Sequence, residues 1–146
     1  MKILGLTVGP ALCVPLLIGA APPPPNGAIV VDVSGVRSDK GMIRVSVCPR
    51  TQFLGNCPWF ASAPAQPGMV SVTVPDVPAG RYAVQAFHDA DGDGKLARYW
   101  FGLPREGIGF SNDAMAHITY PRFKVAAFDH GEAAQHVPVT VRYFLR

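Results

Sequence analysis

No stretch of this chain gathers lysine or arginine into a run, and charged residues of both signs make up only 16% of it. Arg37, Lys40, Arg44, Arg50 and Arg81 are scattered along the sequence. Despite a net charge of +3, the basic stripe that a nucleic-acid binder turns toward phosphates is missing. Helical periodicity is missing as well: no window of ten or more residues spaces apolar side chains at three and four between a capped start and a glycine stop. Helix is therefore expected to be minor, and a parallel sheet with crossover helices is disfavoured. Cysteine is scarce, with three residues, and no two form a Cys-x-x-Cys pair, so thiol redox catalysis is not expected.

The N-terminus carries one lysine, Lys2, followed by an uncharged apolar run from Ile3 to Ile18 and the small residues Gly19-Ala20-Ala21. That order is the pattern of a secretory signal peptide, assigned to residues 1–20. The run is too short, and too interrupted by Pro10 and Pro15, for a stable membrane span. Cys13 lies inside it and is expected to leave with the signal. The Pro-rich residues 21–27 read as a linker, which leaves one domain over residues 28–146 in the periplasm or outside the cell. A chain of that size buries about two thirds of its unfolded surface, enough for an ordinary core. In an oxidising compartment Cys48 and Cys57 are expected to pair, the alternative being two free buried thiols.

Apolar residues alternate at Ile29, Val31 and Val33, at Ile43, Val45 and Val47, at Val70, Val72 and Val74, and at Val137, Val139, Val141 and Tyr143. Period two is the mark of half-buried strands. Arg81–His88 and Phe123–Asp129 read as strands by composition. The expectation is an all-β, antiparallel β-sandwich of about seven strands. Two connections, residues 50–68 and 89–122, exceed ordinary hairpin length, and long connections in compact domains are usually functional or braced from within.

The second connection opens on Asp89-Ala90-Asp91-Gly92-Asp93-Gly94. Carboxylates at positions one, three and five with glycine at six have the spacing of an EF-hand-type calcium loop, in which position seven, here Lys95, supplies a backbone carbonyl. Position nine is Ala97 and position twelve is Trp100, so the usual closing carboxylate is absent. A Ca2+ ion held by Asp89, Asp91, Asp93 and the Lys95 carbonyl would need its missing oxygens from water or from a distant carboxylate such as Glu106 or Asp113. The competing reading is a tight turn in which the aspartates cap backbone N–H groups.

From Tyr99 the chain continues Tyr-Trp-Phe-Gly-Leu-Pro-Arg-Glu-Gly-Ile-Gly-Phe-Ser-Asn. With the acidic loop before it, this segment resembles the DUF2141 family, bacterial proteins of unknown function marked by an acidic Asp/Asn-Gly loop, Gly-x-Pro-x-Glu and Gly-Phe-Ser-Asn. The pattern falls on Asp89, Asp91, Asp93 and Gly94, on Gly102, Pro104 and Glu106, and on Gly109, Phe110, Ser111 and Asn112. Ala97 stands where the family often has aspartate. The resemblance implies an exported sandwich similar to prealbumin-like and carboxypeptidase-regulatory-like domains, with no established activity.

Two readings of the long segment follow from its residue types. Glu106, Ser111 and Asn112 supply hydrogen bonds to an irregular backbone that has no ladder of its own. Alternatively Tyr99, Trp100 and Phe110, with Asn112, form a platform for an envelope or extracellular partner, a protein or a glycan. The residue types of a hydrolytic triad occur in His88, Asp89, Ser111 and His117, but Ser111 lacks the Gly-x-Ser-x-Gly elbow. His88 reads as a hydrogen-bonded edge residue, and His130 and His136 as surface residues. A hydrolase on a prealbumin-like scaffold, such as hydroxyisourate hydrolase, would end in Tyr-Arg-Gly-Ser, whereas this chain ends Val141-Arg142-Tyr143-Phe144-Leu145-Arg146. The expectation is a non-catalytic binding or interaction module.

Overall fold

The computed structural model describes residues 19–115 and 121–145. Nearly all of the expected signal segment, and His117, lie outside the described residues. The strands are β1 (Ile29–Val36), β2 (Met42–Cys48), β3 (Trp59–Pro64), β4 (Gly68–Val74), β5 (Gly80–Asp89), β6 (Ile108–Phe110), β7 (Phe128–His130) and β8 (Gln135–Thr140). One helical turn, α1 (Phe123–Ala126), precedes β7. They form a β-sandwich of two sheets, β4-β1-β8 and β3-β2-β5-β6, with β7 paired to the start of β5.

The alternation read from the sequence is the packing. Ile29, Val31, Val33, Val70, Val72, Val74, Val137 and Val139 turn inward from the smaller sheet, and Ile43, Val45, Val47, Tyr82, Val84 and Ala86 turn inward from the larger. These side chains share one buried cluster, in which Tyr82 meets Trp59 edge to face with ring centroids 5.2 Å apart. Burying a valine or isoleucine side chain contributes about 1.5–3 kcal/mol, so this cluster is the chief favourable term in folding.

Three details differ from expectation. The first is a pairing direction: β8 lies parallel beside β1, in register from Ile29 opposite Gln135 to Ser34 opposite Thr140. Period-two alternation carries no sign of strand direction, which is why the sequence is silent on this. Second, part of the long connection 50–68 is a strand, since β3 pairs with β2 along its whole length. Pro58 precedes it and Pro64 is its last residue, which suits the edge position that β3 occupies. Third, Phe123–Asp129 is not a strand. Its first half is α1, where the N–H groups of Ala126 and Ala127 bond back to the carbonyls of Arg122 and Phe123, and only Phe128–His130 is extended.

Cys48, the last residue of β2, is joined to Cys57 by a disulfide. The bridge ties the connection 50–57 to the larger sheet, and Gln85 fastens the same connection from β5, accepting from the Leu54 N–H at 3.2 Å and donating to the Gly55 carbonyl at 3.1 Å. For a sequence separation of 9, loop-closure entropy gives about 2.5 kcal/mol of stabilisation. Replacing both cysteines by alanine should therefore lower the unfolding free energy by about that amount in urea titrations while leaving the β-sheet circular dichroism intact. A loss under about 1 kcal/mol would show that the connection is held by its other contacts.

Candidate functional site

β5 ends in two buried polar residues, His88 and Asp89. Asp89 is 0% exposed, and an ionised carboxylate there requires partners. Arg44, on the outer face of β2, donates to Asp89 Oδ2 at 2.5 Å, and the Gly94 N–H donates to the same oxygen at 2.9 Å. Burial pushes the Asp89 carboxyl up, but the Arg44 and Gly94 bonds outweigh it and hold the group below the usual aspartate range. Oδ1 has no hydrogen-bond partner among the described residues.

Beyond Asp89 the chain curls around its own carboxylates. Asp91 Oδ1 accepts from the Asp93 N–H at 3.2 Å, and Asp93 Oδ1 accepts from the Lys95 N–H at 2.8 Å. Glu106, buried on the return limb, accepts from the Ala90 N–H at 3.1 Å and from the Ala97 N–H at 3.0 Å. Ligand atoms of Asp89, Asp91 and Glu106 lie within 4.8 Å of one another. Burial pushes the Glu106 carboxyl up and the charges of Asp91 and Asp89 push it the same way, against the two N–H bonds.

Between Ala97 and Arg105 the backbone forms a tight hairpin, with Arg98 bridged to Pro104, the Tyr99 N–H bonded to the Leu103 carbonyl and the Arg105 N–H bonded to the Ala97 carbonyl. Gly102 closes the tip with φ of 89°, a left-handed value that glycine adopts freely. At that tip Tyr99 and Phe101 stack with centroids 5.3 Å apart, Trp100 meets Phe101 edge-on, and Trp100 is 94% exposed. The hairpin walls a groove of about 1190 Å3 on the outer face of the larger sheet. Ser46, Ser62, Gln85 and Phe87 line its sheet side, and Leu54–Cys57, Met115 and Pro121 line it from the neighbouring connections.

Gly109-Phe110-Ser111-Asn112 resolves a problem in the sheet. One edge of β5 is shared by two short strands, β7 at Gly80–Tyr82 and β6 at Gln85–Phe87, so Val84 sits near the junction between them. There the Ser111 Oγ accepts from the Val84 N–H at 2.9 Å and donates to the Ala126 carbonyl at 2.6 Å. Asn112, at φ of 56°, donates through Nδ2 to the carbonyls of Val125 and Ala127. Gly109 lies where the end of β8 crosses β6: a Cβ there would stand 2.4 Å from the Thr140 carbonyl oxygen, so only glycine fits without a backbone shift.

Residues 31–138 match the family model described as "Uncharacterized protein conserved in bacteria (DUF2141)". The chain belongs to the DUF2141 family. No curated protein and no solved structure matches it. In this DUF2141 protein the hallmark motif and the acidic loop are parts of one construction, because Glu106 of the motif holds both limbs of the loop.

Several sequence-predicted positions move. Of the five groups assigned to calcium, Asp89, Asp91 and Glu106 converge, whereas the Asp93 side chain is engaged in a local turn with the Lys95 N–H and is outside the cluster. Asp113 pairs instead with Arg142 at 2.6 Å. In the aromatic platform Phe101 takes the place given to Phe110, which is buried on β6 with its ring edge-to-face with Phe53. Asn112 is occupied by backbone carbonyls. His88 is not an edge residue but buried, its Nε2–H donating to the Lys40 carbonyl and its Nδ1 accepting from the Tyr143 hydroxyl, both at 2.7 Å. His130 is buried too, bonded to Gln135 and facing the carbonyls of Gly27 and Val77, while His136 is exposed and pairs with Asp32. Arg44, Phe60, Phe87 and Phe101 were not singled out from the sequence. The only sequence signal for Arg44 is its outward position in the β2 alternation.

The contrast between motif and hairpin tip is measurable. Ser111→Ala removes the acceptor for one buried N–H and the donor to one buried carbonyl, and should cost about 2 kcal/mol or more. Trp100→Ala, at a side chain in solvent, should change stability by less than about 0.5 kcal/mol. Chemical unfolding of the two variants tests both, and a Trp100→Ala loss comparable to that of Ser111→Ala would place Trp100 in the core.

The carboxylates also impose a pH signature in chelator-containing buffer. Glu106 holds its proton more tightly in the folded state, so its contribution is fully present below the ordinary glutamate value of 4.5 and is lost as pH rises through its raised folded value. Asp89 works oppositely: its contribution is present above 3.8 and is lost as pH falls through its lowered folded value. Urea midpoints should therefore carry a Glu106-dependent gain from pH 7 down to about 4.5, absent in Glu106→Gln. A Glu106→Gln profile parallel to wild type would refute the assignment.

Proposed function

We propose that this DUF2141 protein is an exported, non-catalytic binding module that takes an extended glycan along the outer face of its larger sheet. The observation that carries this reading is the groove walled by the aromatic hairpin. Its volume exceeds the usual 300–1,000 Å3 of small-molecule pockets, which suits a segment of a polymer. Aromatic faces at Phe60, Phe87 and Phe101 offer stacking surfaces for sugar rings, and Ser46, Ser62 and Arg44 offer polar groups between them. Phe60 and Trp100 are held in water at apolar cost, and a ligand that covers them would recover that cost.

The non-catalytic part of the reading is supported by the residues first suspected of catalysis. Ser111 Oγ is buried and shared between Val84 and Ala126, and both ring nitrogens of His88 are engaged. Export is supported by the charge-then-apolar N-terminus and by the disulfide, a bond that persists in oxidising compartments.

Amide chemical-shift mapping tests the reading. Titration of the isotopically labelled protein with a panel of oligosaccharides should perturb residues 44–46, 60–62, 85–87 and 101–104, and Phe60→Ala with Phe101→Ala should weaken that binding tenfold or more. Perturbation confined to the sheet β4-β1-β8, or binding of short peptides in the groove with no response to any oligosaccharide, would sink the glycan assignment.

A further inference from the structure

We infer that Asp89, Asp91 and Glu106 form a divalent-cation site, selective for Ca2+, that locks the acidic loop to the wall of the groove. This goes beyond the binding reading and does not depend on what the groove holds. The cluster alone would mean little, since acidic groups gather at many surfaces. What distinguishes this one is Asp89: its carboxylate is completely buried, it belongs to the cluster, and Oδ1 is without a hydrogen-bond partner among the described residues. A buried ionised oxygen left unpaired carries its full desolvation cost, and a cation beside it removes that cost.

Charge and spacing point the same way. Three carboxylates facing one guanidinium, that of Arg44, leave two negative charges, which one divalent ion neutralises. Oxygens bound to one Ca2+ at 2.3–2.6 Å stand no more than about 5.2 Å apart, and the three ligand atoms here are within 4.8 Å of one another. All the donors are hard oxygens, with no histidine or thiol in the group, which favours Ca2+ or Mg2+ over transition metals. Three carboxylates converging on one point suit Ca2+, because Mg2+ gives up its water reluctantly and usually takes only one or two. The site also differs from an EF-hand: it joins the end of β5 to the return limb at Glu106 and leaves out Asp93, whose carboxylate already accepts from the Lys95 N–H.

The consequence is mechanical. Glu106 already bonds the N–H groups of Ala90 and Ala97, so an ion held on Glu106 clamps the loop at one side and the base of the Tyr99–Phe101 hairpin at the other. Isothermal calorimetry and thermal melting of the chelator-treated protein test this with Ca2+ and Mg2+ as the probes. One Ca2+ should bind per chain, with a rise in melting temperature that EDTA reverses. Asp91→Asn, at an exposed side chain that the fold tolerates, should weaken Ca2+ binding at least tenfold. Asp93→Asn should leave it within a factor of two. Absence of both heat and melting shift at millimolar Ca2+ overturns the proposal, as does Mg2+ binding in preference to Ca2+. Wild-type affinity in Asp91→Asn, or loss of binding in Asp93→Asn equal to that in Asp91→Asn, overturns the ligand set.

Discussion

A carboxylate kept ionised inside the protein sets the terms for everything built on the outer face of the larger sheet. Asp89 closes β5, the longest strand at ten residues, and has no exposed surface. Removing a charge from water costs several kcal/mol per ion after relaxation, so Asp89 is tolerable only with Arg44 placed opposite it. Arg44 reaches it because β2 and β5 pair in register, with Met42 opposite Asp89 and Arg44 opposite Phe87. The pair then presents Oδ2 to the Gly94 N–H, which brings the loop back over the sheet and launches the hairpin from its far side. If either partner of the pair is removed, the other becomes a buried or half-buried orphan, and the loop loses its first anchor.

The second constraint is the divided edge of β5. Two strands of three residues each cannot cover an edge of ten, and the interval between them exposes a backbone N–H at Val84. A hydroxyl is well suited to that gap, because it accepts the stranded N–H and donates onward to the piece of chain that must turn away. Ser111 does both, and Asn112 bonds the carbonyls on either side, those of Val125 in α1 and of Ala127 just beyond it. The helical turn in place of an expected strand at Phe123 follows from this: carbonyls drawn toward Ser111 and Asn112 are no longer available to a ladder. Aromatic composition suggested extension there, and side chains from residues 111 and 112 overrode it.

The core was legible because burial writes a period of two into each strand. Every alternating set from Ile29 to Val139 lies where it was read, and the cysteine pair closes as expected. What was not legible depends on contacts between distant residues. The parallel placement of β8 leaves no trace in alternation. The burial of Phe110 and His130 depends on Phe53, Gly27 and Val77, which are remote in sequence. The acidic loop was read as a linear template, and only folding shows that Glu106, seventeen positions beyond Asp89, displaces Asp93. An isolated arginine on a strand, such as Arg44, carries no local signature of its partner.

The hallmark residues of the family are in this way consumed by construction. Glu106 holds two limbs of a loop, Gly109 admits a crossing strand, Phe110 supports Phe53, and Ser111 and Asn112 join two strand fragments. Glu106 and Ser111 are buried, and the Asn112 amide spends its Nδ2 on two backbone carbonyls. The side chains that do face outward, Phe60, Trp100 and Phe101, fall outside the motif. A sequence pattern that specifies the frame but not its outward surface identifies a scaffold, and function has to be sought in the residues the pattern leaves free. In this protein two of those residues, Phe60 and Phe101, line a groove whose wall is tied, through Glu106, to the buried charge at the end of β5.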